Sequence, residues 1–345
     1  MDLPVIGITM GDPGGVGPEI IVKALSDSRI YQICKPIVLG DYGVILRAAG
    51  ILGLEAQIDI TEDIRAEKYQ AGTISVLNLS NLDTSALIFG KPDKRFGKAV
   101  VEYIKAGTRL ALNGEIDALT TAPINKEVIN KAGYPYPGHT ELLAELTHAK
   151  EYVMMLAGER LRVALVTIHC SLRNVARLLN TQRIATIIRV TNDSLKTYFN
   201  ISNPRIAVAS LNPHGGEGGI FGDEEERIII PAINRVREAG IDAIGPLPPD
   251  TLFYYAVQGE YDVVVCMYHD QGLIPLKLLS FQDAVNVTLG LSVIRTSVDH
   301  GTAYDIAGTG KANAASLTNA ILLAASMADK RKERSKNMAV NATHP

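Results

Sequence analysis

Short runs made almost entirely of apolar residues recur along this chain, and no other feature restricts its fold as much. Seven of these runs have the length of a β-strand: residues 5–9, 36–40, 118–121, 152–156, 162–167, 205–209 and 262–266. Because they lack the polar–apolar alternation of a half-exposed strand, they predict strands that are covered on both faces. Amphipathic stretches at residues 97–114, 141–149 and 224–239 lie among them. The pattern therefore predicts an α/β protein with helices on both faces of a sheet.

The composition is that of a globular protein without a polyanionic partner. The chain has 345 residues, is 47% hydrophobic and carries a formal net charge of -3, so neither nucleic acid nor a membrane surface is expected as a partner. No apolar run is long enough to span a bilayer, and the N-terminus lacks the basic region of a signal peptide. We expect a cytoplasmic protein whose three cysteines are reduced core thiols. A helix is predicted over about residues 315–328, and the basic tail at residues 330–336 is expected to be solvated and frayed.

Three histidines each follow closely after a strand-like run: His169, His214 and His269. In open α/β sheets, ligands bind at the carboxyl ends of the strands, and neutral imidazole is a frequent ligand of divalent transition metals. Three rings that converge at one edge would hold a metal and leave coordination positions for substrate and water. The alternative is that each is a hydrogen-bonded loop residue, because the spacings are long and match no compact zinc motif.

Two glycine-rich segments also follow predicted strands. Residues 11–19 (GDPGGVGPE) lead into a helical stretch, and Pro18 and Glu19 suit its first turn. Such a turn can bind an anion or line a cleft, although it lacks the G-x-G-x-x-G spacing of a dinucleotide site. Residues 212–219 contain so much glycine that we favour a loop that wraps closely around a ligand. An ordinary strand-to-helix turn and a disordered surface loop are the respective alternatives.

Polar side chains elsewhere in the loops, together with Arg295, predict an anion site; Asn286 and Arg295 occupy later strand-like positions. Thr140 is a plausible N-cap preceded by His139, and such a helix start suits a phosphate, with a plain cap as the alternative. Lys277 and Arg295 can bind carboxylate or phosphate, although such residues are more often surface charges. The small residues of segment 295–313 indicate a loop that contacts an extended ligand.

Eight short motifs carry a family resemblance. They are residues 11–19, 121–126, 137–141, 212–214, 221–225, 248–251, 267–272 and 295–301. They occur in the expected order over about residues 5–315, and together they resemble the family of 4-hydroxythreonine-4-phosphate dehydrogenases. Residues 300–313 are also similar to the nucleotide-binding loop of the isocitrate and isopropylmalate dehydrogenase superfamily.

The resemblance implies a two-lobed α/β/α subunit of the isocitrate/isopropylmalate dehydrogenase-like type, with the active site in the cleft between the lobes. It places the nucleotide-binding lobe at about residues 1–125 with 275–345. The lobe for metal, substrate and dimerisation is placed at about residues 126–274. It also implies a homodimer in which both subunits contribute to each active site.

Individual residue roles are implied by the resemblance as well. A divalent metal (zinc, magnesium or cobalt) is expected at His169, His214 and His269, with ligands from both subunits. The expected substrate contacts are His139, Thr140, Lys277, Asn286 and Arg295. NAD, or alternatively NADP, is expected at Gly301, Asp305, Gly308 and Asn313. The candidates for the general base are Lys277, Asp250 and Asp270.

The implied reaction is the NAD-dependent oxidation of 4-phosphooxy-L-threonine at C3, followed by decarboxylation to 3-amino-2-oxopropyl phosphate in pyridoxal phosphate biosynthesis. Related enzymes oxidise 4-phosphorylated threonate or erythronate, which differ mainly in the group on C2, and no residue of this chain is assigned to read that group. The threonate or erythronate activity is therefore the alternative. A metal-dependent phosphohydrolase or lyase that uses the same histidines, and a non-catalytic phosphometabolite-binding protein, are further alternatives.

Overall fold

The computed structural model describes residues 2–54 and 56–343, with side chains up to Asn337. The chain divides into two compact units. Unit 1 comprises the residues up to Lys150 together with Leu291–Asp329, and unit 2 comprises Glu151–Gly290 together with the residues from Lys330 onward. These boundaries assign residues 126–150 to unit 1 and residues 275–290 and those from Lys330 onward to unit 2, whereas the predicted lobes divide the chain at 125 and 275 and keep the C-terminal segment with residues 1–125. The functions expected of the two lobes stay predictions.

The described residues alternate between strands and helices along most of the chain. The strands are β1 (Val5–Thr9), β2 (Lys35–Gly40), β3 (Gln57–Ile60), β4 (Thr73–Asn78), β5 (Ala118–Thr121), β6 (Val153–Ala157), β7 (Arg162–Leu165), β8 (Ile206–Ala209), β9 (Ala243–Leu247), β10 (Val263–Cys266), β11 (Val285–Leu289) and β12 (Arg295–Val298). The α-helices are α1 (Gly17–Leu25), α2 (Tyr42–Leu52), α3 (Gly97–Leu112), α4 (Lys126–Lys131), α5 (His139–Leu146), α6 (Val175–Leu178), α7 (Thr181–Tyr198), α8 (Ile230–Glu238), α9 (Pro249–Val257), α10 (His269–Leu279) and α11 (Ala315–Thr343).

Neighbouring strands of unit 1 are all parallel, in the order β3-β4-β2-β1-β5-β12. The central strand β1 pairs with β2 on one side and with β5 on the other, so that Gly7 lies opposite both Ile37 and Leu119. Because parallel strands end at the same edge of a sheet, the loops after β1, β5 and β12 lie along one edge. These loops carry three of the sequence motifs.

Unit 2 has the strand order β11-β6-β7-β10-β8-β9. Strand β6 is antiparallel to both β11 and β7, whereas β7, β10, β8 and β9 are parallel. The carboxyl ends of β7, β10 and β8 therefore share an edge, and His169, His269 and His214 follow these three ends. The side chains between the sheet and its helices form an apolar core that includes Val163, Val264 and Leu252.

All seven predicted strands form, with shifts of one or two residues at some ends. The predicted α/β class is confirmed. Strands β3 and β4 were not predicted, because their sequences mix polar with apolar residues. Strand β9 was not predicted, because Gly245 and Pro246 interrupt its short apolar sequence. The prediction that Thr140 caps α5 is wrong, because the extended residue Gly138 is the N-cap and Thr140 lies in the first turn.

Helix α11 continues well beyond its predicted end near residue 328 and reaches Thr343. The prediction of a frayed tail at residues 330–336 is therefore wrong, since this segment is helical and Arg334 Nη1 donates to the carbonyl of Lys196 at 2.8 Å. None of the helices in the described part of the chain combines the length and the apolar character that crossing a bilayer requires.

The three cysteines are free thiols, as predicted. Cys34 and Cys266 are buried in the core, and burial raises the pKa of both thiols. Cys170 is only partly buried, so the prediction of a core position is wrong for this residue.

Candidate active site

The glycine-rich turn after β1 packs tightly against its neighbours in unit 1. Asp12 N donates to the carbonyl of Pro123 at 2.9 Å, and Gly11, at φ 73°, leaves no room for a Cβ beside the same carbonyl. The Asp12 carboxylate accepts hydrogen bonds from Gly14 N at 2.9 Å and from Tyr304 Oη at 2.8 Å. Burial raises the pKa of Asp12, although these two hydrogen bonds oppose the shift. The turn thus joins the loop after β5 to the loop after β12.

Arg295, the first residue of β12, is only 2% exposed. Its Nη2 and Nε donate to Thr121 Oγ1 at 2.8 Å and 3.2 Å, and Thr121 is the last residue of β5. Burial lowers the pKa of the Arg295 guanidinium, and the charge of Glu141 opposes the shift. Because arginine stays protonated at neutral pH, unit 1 holds a positive charge in its interior, where an anionic ligand is favoured.

His139, the first residue of α5, is electrostatically coupled to this arginine. Burial lowers the pKa of His139 well below its usual range, and the charges of Arg295 and Lys126 lower it further. The ring is therefore neutral near pH 7. Its buried Nε2 has no hydrogen-bond partner among the residues that the structure describes. Because buried polar atoms are nearly always hydrogen-bonded, this nitrogen is a candidate ligand contact.

Unit 2 contains a second buried polar atom of this kind. Asn286 Oδ1, on β11, has no partner within the described ranges. His139 and Asn286 were both predicted as substrate contacts. Thr140 and Lys277, also predicted to contact substrate, are each partly buried on their helices, and Lys277 Nζ lies 5.7 Å from the ring centroid of Phe281.

Two of the three predicted metal ligands come together in unit 2. The ring centroids of His169 and His269 are 5.8 Å apart, with 42° between the ring planes. Two imidazoles bound to one zinc ion through Zn–N bonds of about 2.1 Å have centroids about 5–6 Å apart, so the spacing is compatible with a shared ion. His269 Nδ1 lies 2.7 Å from Asp270 Oδ1. Such a carboxylate contact orients metal-binding imidazoles and directs Nε2 toward the ion.

His214 does not join this pair within one chain. Its backbone is left-handed, with φ 54°, and its ring centroid lies 6.3 Å from that of Phe221. Over residues 2–54 and 56–343, no three His, Cys, Asp or Glu side chains are arranged to hold a metal. The single chain therefore offers a partial donor set of two imidazoles. The expectation that two subunits complete the site stays a prediction.

Polar side chains that the sequence analysis did not single out connect the three histidine-bearing loops. Thr167 Oγ1 donates to the carbonyl of Met267 at 2.7 Å. Gln271 accepts from Met267 N and donates to the carbonyl of Ser210, both at 2.7 Å. The loops after β7, β10 and β8 are thereby held to one another. The only sequence signal was that Gln271 belongs to the motif at residues 267–272.

A buried carboxylate holds the loop that carries His214. Glu225 is 2% exposed, and its Oε1 accepts from Leu211 N and Asn212 N, both at 2.8 Å. Asn212 Nδ2 also donates to Glu225 Oε2 at 2.9 Å. Glu225 closes the sequence motif at residues 221–225, but its partners could not be read from the sequence.

The candidates for the general base occupy different environments. Asp250 is exposed in the first turn of α9, and Asp270 is exposed beside His269. Lys277 lies two turns after His269 on α10. The contact with His269 gives Asp270 an orienting position, and the choice of general base stays a prediction.

The residues predicted to bind the cofactor lie in the loop after β12. Gly301, Asp305 and Asn313 are exposed, and a Cβ at Gly301 would enter open space. Asn313 Oδ1 accepts from Ala315 N at 2.8 Å, which caps the start of α11. Gly308 differs, because its N–H donates a hydrogen bond to the Glu19 carboxylate. The exposed positions fit a ligand-binding role, whereas the Gly308 amide is already engaged.

Comparison with known proteins places the chain among close relatives. The 4-hydroxythreonine-4-phosphate dehydrogenase of Geobacter metallireducens is 55% identical over 325 residues, which cover 94% of this chain and 96% of that protein. The D-threonate 4-phosphate dehydrogenase of Salmonella typhimurium is 47% identical over 330 residues, which cover 95% of this chain and 100% of that protein.

A solved structure shows the same fold. The crystal structure of the 4-hydroxythreonine-4-phosphate dehydrogenase from Klebsiella pneumoniae matches with a TM-score of 0.88 and 44% identity, over 94% of this chain and 98% of that chain. The model of the family described as pyridoxal phosphate biosynthetic protein PdxA matches residues 32–324. This chain therefore belongs to the PdxA family.

Proposed function

We propose that this protein oxidises 4-phosphooxy-L-threonine at C3 with NAD, and that the product loses carbon dioxide to give 3-amino-2-oxopropyl phosphate. A relative that is 55% identical is named a 4-hydroxythreonine-4-phosphate dehydrogenase. The observation that carries the proposal is the buried guanidinium of Arg295, coupled to His139, whose Nε2 has no partner in the described part of the chain. This reaction would be a step of pyridoxal phosphate biosynthesis, the process named in the description of the matching family.

Three side chains of unit 1 are the proposed anion-binding groups. The buried Arg295 and the exposed Lys126 supply positive charge, and His139 supplies a neutral ring that can donate through Nε2 in the corresponding tautomer. Charge-assisted hydrogen bonds from such groups suit phosphate and carboxylate oxygens. Holding the charged ends of the substrate in this way orients C3 for reaction.

The histidine pair of unit 2 is the proposed metal-binding group. We assign His169 and His269 as ligands, with Asp270 orienting His269, and we assign His214 as the third ligand. When bound, a divalent metal lowers the pKa of a substrate hydroxyl, and a nicotinamide accepts hydride. Zinc, magnesium and cobalt are the candidate metals, and NAD rather than NADP is the proposed oxidant.

A second copy of the chain is the proposed source of the missing part of this donor set. Helix α10, which begins at His269, exposes Ile274 (60%) and Leu278 (82%) one turn apart, and Phe281 (75%) follows. A group of large apolar side chains exposed close together in the chain is typical of a surface that another protein covers. A homodimer that buries this surface would bring a second chain close to His269. A cytoplasmic location stays a prediction.

Oxidation of a 4-phosphorylated threonate is the second candidate function. The observation in its favour is the relative from Salmonella typhimurium, 47% identical and named a D-threonate 4-phosphate dehydrogenase. The two substrates share the phosphate, the carboxylate and the C3 hydroxyl, so His139 and Arg295 serve both equally well.

A cofactor-reduction assay tests the proposal and separates it from the alternatives. The purified protein, with NAD and divalent metal, is offered 4-phosphooxy-L-threonine, 4-phospho-D-threonate or 4-phospho-D-erythronate, and products are identified by mass spectrometry. We expect the highest kcat/KM with the amino acid and formation of 3-amino-2-oxopropyl phosphate. A preference for the threonate would support the second candidate. Release of inorganic phosphate without NAD reduction would indicate a phosphohydrolase, and recovery of intact ligand would indicate a binding protein.

A further inference from the structure

One face of helix α1 holds the backbone of the loop after β12. Glu19 is fully buried, and its carboxylate accepts from Gly308 N and, at 2.8 Å, from Gly310 N. Lys23, one turn later on the same face, donates through Nζ to the carbonyls of Gly310 at 2.6 Å and Ala312 at 2.7 Å. Two side chains of α1 therefore bind four backbone groups between residues 308 and 312.

This part of the loop does not hold its own shape through regular secondary structure. Gly308 and Gly310 have φ values of 80° and 71°, in the left-handed region that favours glycine. A Cβ at Gly308 would lie 2.6 Å from Cβ of Phe89. Because buried backbone N–H and C=O groups need partners, the hydrogen bonds from Glu19 and Lys23 stabilise this backbone conformation.

The first half of the same loop is held by the turn that precedes α1. Val16 N donates to the carbonyl of Thr302 at 3.0 Å, and Tyr304 Oη donates to Asp12 at 2.8 Å. The motif at residues 11–19, extended by Lys23, thus supports the loop from residue 302 to residue 312.

We propose that Glu19 and Lys23 are positioning residues for the nicotinamide cofactor, which they assist by presetting the backbone of residues 308–312. The inference rests on the proposed function, because the loop at residues 300–313 is the segment expected to bind NAD. A ligand that meets a preformed loop loses less free energy to ordering than one that must organise it. Loss of either side chain should therefore weaken the binding of NAD and leave the binding of the phosphorylated substrate unchanged.

The variant Glu19→Gln tests this role with little change in volume. Its amide group offers one acceptor oxygen and places an NH₂ donor against a backbone N–H, so at least one charge-assisted hydrogen bond is lost. We expect the Kd for NAD, measured by isothermal titration calorimetry, and the KM for NAD to rise about tenfold or more. The kcat at saturating NAD and the KM for the phosphorylated substrate should stay within about threefold of wild type. Unchanged NAD affinity in the folded variant would overturn the proposal.

Glu225→Gln is the matched control, because Glu225 is also a buried carboxylate that accepts from two backbone amides, but in unit 2. We expect its NAD affinity to equal that of wild type even if its melting temperature falls. An equal loss of NAD affinity in both variants would indicate general destabilisation and overturn the positioning role. If Glu19→Gln does not fold, the partly buried Lys23→Met is measured in the same way, and unchanged NAD affinity there overturns the proposal.

NAD binding by the wild-type protein distinguishes failure of the positioning role from failure of the proposed function. Binding and reduction of NAD by wild type, with no change in Glu19→Gln and Lys23→Met, would overturn the positioning role alone. Absence of NAD binding by wild type would overturn the proposed function and this inference together.

Discussion

The candidate anion-binding groups Arg295 and His139 of unit 1 and the candidate metal ligands of unit 2 differ in their exposure to water. In unit 1, Arg295 is 2% exposed and the Nε2 of His139 is buried. In unit 2, His169 and His214 are exposed, and His269 is 35% exposed at its side chain. The Arg295 guanidinium and the His139 Nε2 are therefore withdrawn from water before any ligand arrives, whereas the three candidate metal ligands are accessible to ions and to a second chain.

This difference in burial has consequences for both folding and ligand binding. Burial of a guanidinium has a cost in the free energy of folding, because charge is removed from water. The benefit is a preformed, poorly solvated environment in which an anion is bound strongly. Exposed imidazoles carry little of that folding cost, and their geometry is set by contacts such as that between His269 and Asp270. Function and stability should thus be opposed in unit 1 and largely independent in unit 2.

The largest effect is expected from His269→Ala in unit 2. Loss of this ligand should lower kcat about a thousandfold or more, because metal catalysis contributes several kcal/mol. The melting temperature of the protein without metal should stay close to that of wild type, and metal content can be measured by mass spectrometry. His148→Asn is the control, since His148 is an exposed imidazole whose φ of 54° asparagine tolerates. A His269→Ala protein that does not fold would show that the exposed groups also support the fold.

A smaller loss of activity, with the opposite effect on stability, is expected from Arg295→Met in unit 1. The kcat/KM for the phosphorylated substrate should fall about a hundredfold to a thousandfold. The free energy of unfolding without ligand should be unchanged or higher, because an apolar side chain replaces a buried charge. Urea denaturation and steady-state kinetics measure the two quantities. Arg162→Met is the control, because burial also lowers the pKa of Arg162 and its Nη1 donates to the carbonyl of Asp262, outside the site. Equal activity losses in the Arg295 and Arg162 variants would contradict a specific role of Arg295 in binding the anion.

The smallest effect is expected on the pH dependence of the KM for the phosphorylated substrate. The pKa of His139 is depressed in the free protein, and a bound anion should raise it, so binding of the phosphorylated substrate should take up a proton. The KM of wild type, relative to that of His139→Gln, should therefore fall severalfold as the pH is lowered through the pKa of the complex. The ratio cancels the titration of the substrate phosphate itself. A ratio that is independent of pH would mean that His139 does not contact the anion.

The same shift predicts how stability changes with pH. The folded protein has the lower His139 pKa, so this residue contributes full stability above its unfolded value near 6.5. That contribution is lost as the pH falls through the depressed pKa of the folded state. Urea denaturation at pH 7.5 and pH 5 should show a smaller loss of stability in His139→Gln than in wild type.

Much of the fold could be predicted because uninterrupted apolar runs encode burial on both faces. Strands β1 and β5 begin and end at the predicted residues. Strand β3, with its sequence Gln57–Ile60, could not be predicted, because half of its residues are polar and its stability comes from pairing with β4. The end of α11 could not be predicted either, since a basic composition does not prevent a helix whose Arg334 contacts Lys196.

The candidate site, like the fold, could be predicted only in part from the sequence. The sequence by itself determined which residue types follow the strand ends, and therefore that imidazole and glycine-rich backbone lie at the edges where α/β sheets bind ligands. Only the tertiary structure decided that Arg295 is buried against Thr121, that His169 meets His269, and that Glu19 reaches an amide 289 residues away. Periodicity specifies which face of an element is buried, but the partners on that face depend on strand order and packing between distant parts of the chain.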